Sequence, residues 1–527
     1  MTLAAKRTRT SSPADRVGSP GRRWTLFAVC GATFMLLVDL MVVQVALPTI
    51  QREVGGSFTD LQWVIDAYAL TLAALILAAG SAADRFGRKR MFVAGVGVFT
   101  AASLLCDLAG TIEVLIAARA LQGVGGAAMF ATGLALIGQD FQGADRAKAI
   151  AMWGATVGMA AAAGPLLGGF LADTLGWRWI FFINVPIGVA TVVAASRLAN
   201  VGDPGAKRLD WAGMITFSSS LAVLMVGLLR GNAEGWSSTP IVALLLGAVM
   251  LLVAFVVVEL RQPRPMFDLS LLRRPAFVGV SLATLAIGAG MFASLPFLTF
   301  YLQNYLGFSP LVGGLCLLPG TVMCFVVPLA TRSYVDKLPP GIVLGSGLAT
   351  TGLGLFAMHE LSVGASWIVL IPGLVLAGIG VGIANPSIAK IALSVVPPER
   401  TGMASGISNT FRISGIALGI AALGAFFERQ LATSLQAELG HPSTQLATAV
   451  ASSGTTAAEK LEPVHPGVLA ASQEAFVSSI NDVLAIGAVL LFLGALAALT
   501  LVRSRHFVKA GASVPRRPEA MAEPTLS

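Results

Sequence analysis

Gly80-Ser81-Ala82-Ala83-Asp84-Arg85-Phe86-Gly87-Arg88-Lys89-Arg90 joins two long apolar runs, 60–82 and 90–109. Its basic residues are Arg85, Arg88, Lys89 and Arg90. A helix needs about 20 apolar residues to cross a bilayer, and each flanking run has that length. A short basic loop between two such runs is the pattern of a membrane protein whose loop stays on the cytoplasmic side. Gly87 supplies a tight turn between the two helices.

Reading outward from this loop, the same pattern repeats. Apolar spans fall at 24–47, 60–82, 90–109, 112–138, 148–172, 178–199, 209–230, 238–260, 275–302, 309–331, 340–358, 365–390, 402–428 and 480–502, fourteen in all. The composition agrees: of 527 residues 55% are hydrophobic and 12% charged, with a mean hydropathy of +0.80. Soluble domains carry about 25% charged residues. So few charges cannot cover the surface of a soluble globule, and they argue against disorder, a secreted disulfide scaffold or a nucleic-acid binder. Cys30, Cys106, Cys316 and Cys324 all sit in apolar runs and read as small buried residues, with no metal-type spacing.

Charge orients the spans. With the N-terminus in the cytoplasm, about 28 of the 35 Lys and Arg fall in cytoplasmic segments. Arg52, Arg178, Arg230, Arg429 and Lys460 fall outside, and Arg119 and Arg412 inside spans. An even span count then returns the C-terminus to the cytoplasm. The expected division is a tail 1–23, six helices over 24–199, an inserted pair with linkers over 200–274, six helices over 275–502 and a tail 503–527. The Ala/Ser/Thr-rich stretch 429–479 is expected as a long external loop. A weak echo of the Asp84 loop at Ala330–Lys337, after span ten, supports two related six-helix halves.

Further motifs carry a resemblance. Span four reads Arg119-Ala-Leu-Gln122-Gly123-Val-Gly-Gly126. Arg119, Gln122, Gly123 and Gly126 share one helical face. Span five reads Gly154-x-x-x-Gly158 and then Gly164-Pro165-x-x-Gly168-Gly169, small residues at spacings that let helices approach closely, with a proline that invites a bend. Trp177 to Gly188 reads WRWIFFINVPIG, for which the sequence offers no chemistry. Span one holds Asp39-Leu-Met-Val-Val-Gln44-Val-Ala-Leu47-Pro48, and span thirteen holds Arg400-x-Gly402-x-Ala-Ser405-Gly406 and Asn409-x-x-Arg412. Together with the Gly80–Arg90 loop, these resemble the motifs of the major facilitator superfamily, and within it the fourteen-span drug:proton antiporters. The resemblance runs from about residue 24 to 502. Met41 and Gln44 depart from the Thr and Asn of the subfamily's span-one pattern, which leaves any polar contact from those positions open.

The resemblance implies an all-α integral membrane protein with the major facilitator fold: two six-helix bundles, two inserted helices and fourteen transmembrane helices. It implies proton-driven export of amphipathic small molecules across the cytoplasmic membrane by alternating access. No cofactor is expected, the energy coming from the proton gradient. Metal and nucleic acid are not expected as partners, and the chain is expected to act as a monomer in the bilayer. It further implies that Gly80, Asp84, Arg85, Gly87, Arg88 and Lys89 form a cytoplasmic gating loop and that Gly154, Gly158, Gly164, Pro165, Gly168 and Gly169 mark an exporter.

Charges inside spans are functional by default. From helix rise, Asp39, Asp66 and Arg119 each lie about 9–12 Å from the outer ends of spans one, two and four. They are the expected proton-coupling group, with Asp39 favoured as carrier by the resemblance. Two acids against one base leave a local charge of −1, worth about 3 kcal/mol to a cation at about 6 Å and an effective dielectric of about 20. That favours a small lipophilic cation as substrate. Asn409 and Arg412 are expected to brace or gate. Candidates for the substrate cavity are Gln44, Trp63, Tyr68, Gln122, Phe292, Phe297, Tyr301, Gln303, Asn304 and Asn385. A nutrient symporter on the same fold remains open, although the span-five motif opposes it. An integral-membrane enzyme also remains open, but His359, His441, His465 and His506 are scattered outside the spans, and no nucleophile elbow or phosphate loop is present.

Overall fold

The computed structural model describes residues 20–141, 143–198, 210–262, 267–335, 337–394, 401–439, 444–455, 458–459, 462–463 and 467–503. Most of both expected tails, Arg400 and the side chain of Asp84 lie outside the described residues.

The described elements are all helical. They are α1 (Pro20–Val54), α2 (Phe58–Phe86), α3 (Arg88–Asp107), α4 (Ile112–Asp140), α5 (Gly143–Thr174), α6 (Trp179–Ser196), α7 (Trp211–Glu234), α8 (Thr239–Arg261) and α9 (Pro275–Tyr305). Then come α10 (Pro310–Cys316, turning into Leu318–Val335), α11 (Pro340–Ala357), α12 (Trp367–Ala392), α13 (Thr401–Leu439) and α14 (Val468–Leu501). Twelve are long and apolar enough to cross a membrane. α5 and α10 pass the same test as pairs bent by 43°, which raises the number to as many as 14. The bent pairs occupy the places where the sequence predicts spans five and ten.

Local chemistry sets the ends. Ser57 caps α2 through a reciprocal pair: its Oγ accepts from the Asp60 N–H at 3.2 Å, and its own N–H donates to Asp60 Oδ2 at 2.8 Å. Thr111, Asp210 and Ser309 cap α4, α7 and α10 in the same way from one side. Gly87 alone separates α2 from α3, at φ 99°, a conformation that an L side chain resists, and its N–H closes α2 on the Ala83 carbonyl at 3.0 Å. The bend in α5 falls between Ala160 and Ala163, one turn before Pro165, which cannot donate back along the helix.

Burial shows what solvent the fold is made for. The most apolar stretch of α8 has a mean hydropathy of 3.2, yet only 17% of it is buried. An exposed helix that apolar is stable only against lipid. The chain is thus a multi-pass membrane protein. α1 packs on α5, α2 and α3 on α4, α11 on α12 and α14, and α10 on α12. α7 and α8 pack on each other, and α7 leans on α2 and α13.

The 429–479 stretch is not the loop expected. α13 continues to Leu439, a further helix spans Thr444–Ser453, and α14 begins at Val468. Leu431, Leu435, Val450, Ala451 and Phe476 are fully buried. Phe476 joins Phe58, Phe297, Phe300, Tyr301, Tyr305 and Phe427 in one ring cluster, stacking on Tyr305 at 5.6 Å and meeting Phe427 edge-on at 5.5 Å. The stretch reads as loop by hydropathy because its helices hide apolar residues on one side and show residues such as Thr433, Gln436 and Thr448 on the other.

Candidate functional site

Asp39 on α1 and Arg119 on α4 form an ion pair with both side chains at 0% exposure. Asp39 Oδ2 accepts from Arg119 Nη1, while Oδ1 accepts from Gln122 Nε2 at 2.8 Å and from Asn184 Nδ2 at 2.9 Å. Arg119 Nε donates to the Val64 carbonyl at 3.0 Å, and Nη1 also donates to Gln122 Oε1 at 2.7 Å. Ser103 Oγ accepts from Gln122 Nε2 at 2.8 Å and so ties in α3. The guanidinium lies 4.3 Å from the Tyr68 ring centroid, and Tyr68 Oη donates to the Leu36 carbonyl at 3.2 Å. Five helices, α1, α2, α3, α4 and α6, meet on this one pair. Buried pairs persist only when most of the remaining donors and acceptors are satisfied: two of the three donors to Asp39 are the Gln122 and Asn184 amides, and of the Arg119 nitrogens only Nη2 lacks a partner among the described residues. Ser103 and Asn184 are members that the sequence does not single out chemically. The Trp177–Gly188 run acquires its chemistry here, because it positions Asn184.

Asp66 is separate. It is 0% exposed, and neither carboxylate oxygen has a hydrogen-bond partner among the described residues. The three charges expected at one level are therefore two groups: a bonded pair and a lone acid. Helical spacing explains the division. Val64, Tyr68 and Thr71 face α4, where the Thr71 hydroxyl donates to the Ala120 carbonyl at 2.9 Å. Gln62, Asp66, Leu70 and Ala73 recur at the spacing of the other face, which meets α13: Gln62 Nε2 donates to the Ile420 carbonyl at 2.9 Å, and Leu70 and Ala73 line a small void with Ser414, Ala417 and Leu418.

The other expected site residues are distributed. Tyr68 and Gln122 belong to the ion-pair network. Phe297 and Tyr301 are fully buried in the ring cluster. Gln303 Nε2 donates to the Val45 carbonyl at 2.8 Å, joining α9 to α1. Among the described residues, Gln44 Nε2, Gln303 Oε1 and Thr299 Oγ1 are buried without partners along these two helices, and Thr299 is a member the sequence does not mark. Trp63, Phe292, Asn304 and Asn385 are half-buried. α9 holds two π-helical segments, Gly288–Phe292 and Tyr301–Tyr305, around Pro296. Such segments concentrate at functional positions. α12 runs unbroken through Asn385 and Pro386.

The span-five motif divides in two. A side chain on Gly164 would collide with Met41, one on Gly168 would lie 3.0 Å from the Val42 backbone, and one on Gly169 would strike the Pro310 carbonyl. These glycines let α5 touch α1 and α10. Gly154 and Gly158 face open space; Trp153 of the same segment still donates to Thr33 Oγ1 of α1 at 2.9 Å, so these two glycines lie off the face that meets α1. In the Gly80–Arg90 loop, Arg88 Nη1 donates to the Ala135 carbonyl at 3.4 Å, and Lys89 Nζ donates to the Ser196 and Leu198 carbonyls at 2.7 and 2.5 Å. Lys89 thereby caps the end of α6. Arg85 is exposed and Gly80 half-buried. Arg412 Nη2 donates to Asn409 Oδ1 at 3.0 Å.

A family model described as Major Facilitator Superfamily matches residues 29–420. Similar proteins include a probable actinorhodin transporter of Streptomyces coelicolor, 36% identical over 83% of this chain and 78% of that protein. The multidrug resistance protein Stp of Mycobacterium tuberculosis is 35% identical over 79% of this chain and 78% of its own. The tetracenomycin C resistance and export protein of Streptomyces glaucescens is 32% identical over 77% and 76%. Among solved structures, a bacterial homologue of the human lysosomal transporter Spinster, inward-facing and unoccupied, aligns with a TM-score of 0.61 at 17% identity, covering 94% of this chain and 100% of that one. That likeness is one of fold.

Proposed function

Since the chain belongs to the major facilitator superfamily, we propose that it couples the export of amphipathic small molecules to proton entry through Asp66. It is a transporter and not an enzyme, and its relatives are drug and antibiotic export or resistance proteins. The finer reading has fourteen spans, two six-helix bundles (24–199 and 275–502) and an inserted pair over 200–274. It places the protein in the cytoplasmic membrane with both termini in the cytoplasm and the Phe58 end of α2 outside.

The observation that carries the coupling step is the lone Asp66, fully buried with both oxygens unpartnered on the α2 face toward α13. An ionised carboxylate without partners is very unfavourable there, whereas a neutral acid is tolerated. The closed α2–α13 seam therefore suits protonated Asp66, and loss of the proton favours opening the seam to water. The resemblance favours Asp39 as the carrier, but Asp39 is held by Arg119, Gln122 and Asn184 and serves better as a fixed brace. In everted vesicles with an imposed proton gradient, Asp66→Asn should abolish gradient-driven accumulation although the variant inserts and is at least as stable as wild type. Full gradient-driven accumulation by Asp66→Asn would remove Asp66 from the coupling step.

A further inference from the structure

Two arginines lie within the spans, and they are held differently. Arg119 has its charge matched by Asp39. Arg412 on α13 bonds Asn409, and among the described residues no acidic side chain pairs with it. Exposure separates them as well. Asp39, Asp66 and Arg119 are sealed at 1%, 0% and 0%, whereas Arg412 is only partly buried.

The partial exposure faces the interior. Take the Gly406 and Gly424 direction, which meets Leu77 and Gln62 of α2, as zero. At 3.6 residues per turn, Ser414 and Leu418, beside α7, lie at about 80–120°. The exposed Ala422 lies at about 160°, and Gly415 and Gly419, packed on α9, at about 180–220°. Arg412 and Asn409 point to about 240° and 300°, the sector between α9 and α2 and away from the exposed edge. By helix rise, Arg412 lies about 12 Å from Ile420, where Gln62 closes the seam.

The expected preference for a cation assumed that both acids face the substrate, and here neither is accessible. We infer that Arg412 is the charge anchor of the transport site and that the exported molecule is an amphipathic monoanion, an apolar body bearing a carboxylate. The inference rests on the export reading above. A guanidinium within a span requires a counter-charge or water, and its planar fork matches the two oxygens of a carboxylate. Asn409 accepts from Nη2, which leaves Nε and Nη1 for the carboxylate.

The test uses the purified full-length protein in proteoliposomes, with pyrenebutyrate as the carboxylate probe, rhodamine 6G as the cation and N-phenyl-1-naphthylamine as the neutral compound. Wild type should drive pyrenebutyrate under a proton gradient, and Arg412→Gln should lower the pyrenebutyrate-to-neutral rate ratio tenfold or more. Arg412→Lys keeps the charge but loses the fork and should fall between the two. If Arg412→Gln does not insert, the ratio for Arg412→Lys decides, a threefold or larger drop supporting the anchor. An unchanged ratio in the variants overturns the inference, as does wild-type transport of the neutral or cationic probe without pyrenebutyrate. Failure of every probe to respond to the gradient would instead overturn the export reading.

Discussion

Asp39 and Asp66 are the same residue type on neighbouring helices, and their partners give them opposite tasks. Asp39 accepts from a guanidinium and two amides, whereas Asp66 accepts from nothing. Removing one member of a buried ion pair strands the other and typically costs about 3–5 kcal/mol. Asp39→Asn should therefore lower thermal stability by that order, followed by fluorescence-detected gel filtration of heated membranes. Asp39→Asn with Arg119→Gln should recover part of the loss, since the stranded charge is gone. Asp66→Asn, which deletes an unsatisfied acid, should be at least as stable as wild type. An Asp39→Asn protein that melts with wild type would show that the pair braces nothing. The sequence marks Asp39, Asp66, Arg119 and Gln122 because a charge or amide inside a span is unusual in any register. It does not reveal which acid Arg119 chooses, because that depends on which face of α2 turns to α4. Ser103 and Asn184 are invisible for a related reason: lone hydroxyls and amides are common in spans, and only convergence on Asp39 gives these two meaning.

At the scale of helices, spans are legible where a hydropathy run has clear ends and fade where a helix outlasts the bilayer. α13 extends to Leu439 against a predicted end at 428, and α14 begins at Val468 against a predicted start at 480. These overruns are sealed by one another and by Phe476, so they need no lipid-length apolar run. The turn into α14 is held by charge. Glu462 Oε1 accepts from the Gly467 N–H at 2.9 Å and Oε2 from the Leu469 N–H at 2.7 Å. These backbone bonds hold the Glu462 carboxyl below its ordinary range. A lowered folded-state value means that the ionised form favours the folded turn. The contribution is complete above the ordinary glutamate value and is lost as pH falls through the lowered one. Glu462→Gln should speed hydrogen exchange at Gly467 and Leu469 at pH 7, after correction for intrinsic rates, and the difference from wild type should shrink near pH 3. Equal protection at pH 7 would mean that the carboxylate does not hold the turn.

For the whole molecule, one end is closed by many independent contacts. At the Phe58 end, Gln62 bonds α13, Gln303 bonds α1, and Gly169 and Gly314 bring α5 and α10 into backbone contact. The ring cluster adds Phe58 of α2 to α9, α13 and α14. A transporter that works by alternating access opens one end while the other is shut, so this closed end must open during the cycle. The proposal that this end lies outside rests on the basic residues, which crowd the opposite end around Arg88, Lys89 and Arg90. Impermeant labelling decides the assignment. Gln436, exposed on the extension of α13, and Arg90, exposed at the start of α3, mark the two ends. In a background with Cys30, Cys106, Cys316 and Cys324 replaced by serine, Gln436→Cys should react with a membrane-impermeant maleimide in intact cells. Arg90→Cys should react only once the cells are permeabilised. The reverse pattern would invert the chain in the membrane, make the closed end cytoplasmic, and require Asp66 to take its proton from the side that an exporter fills with substrate.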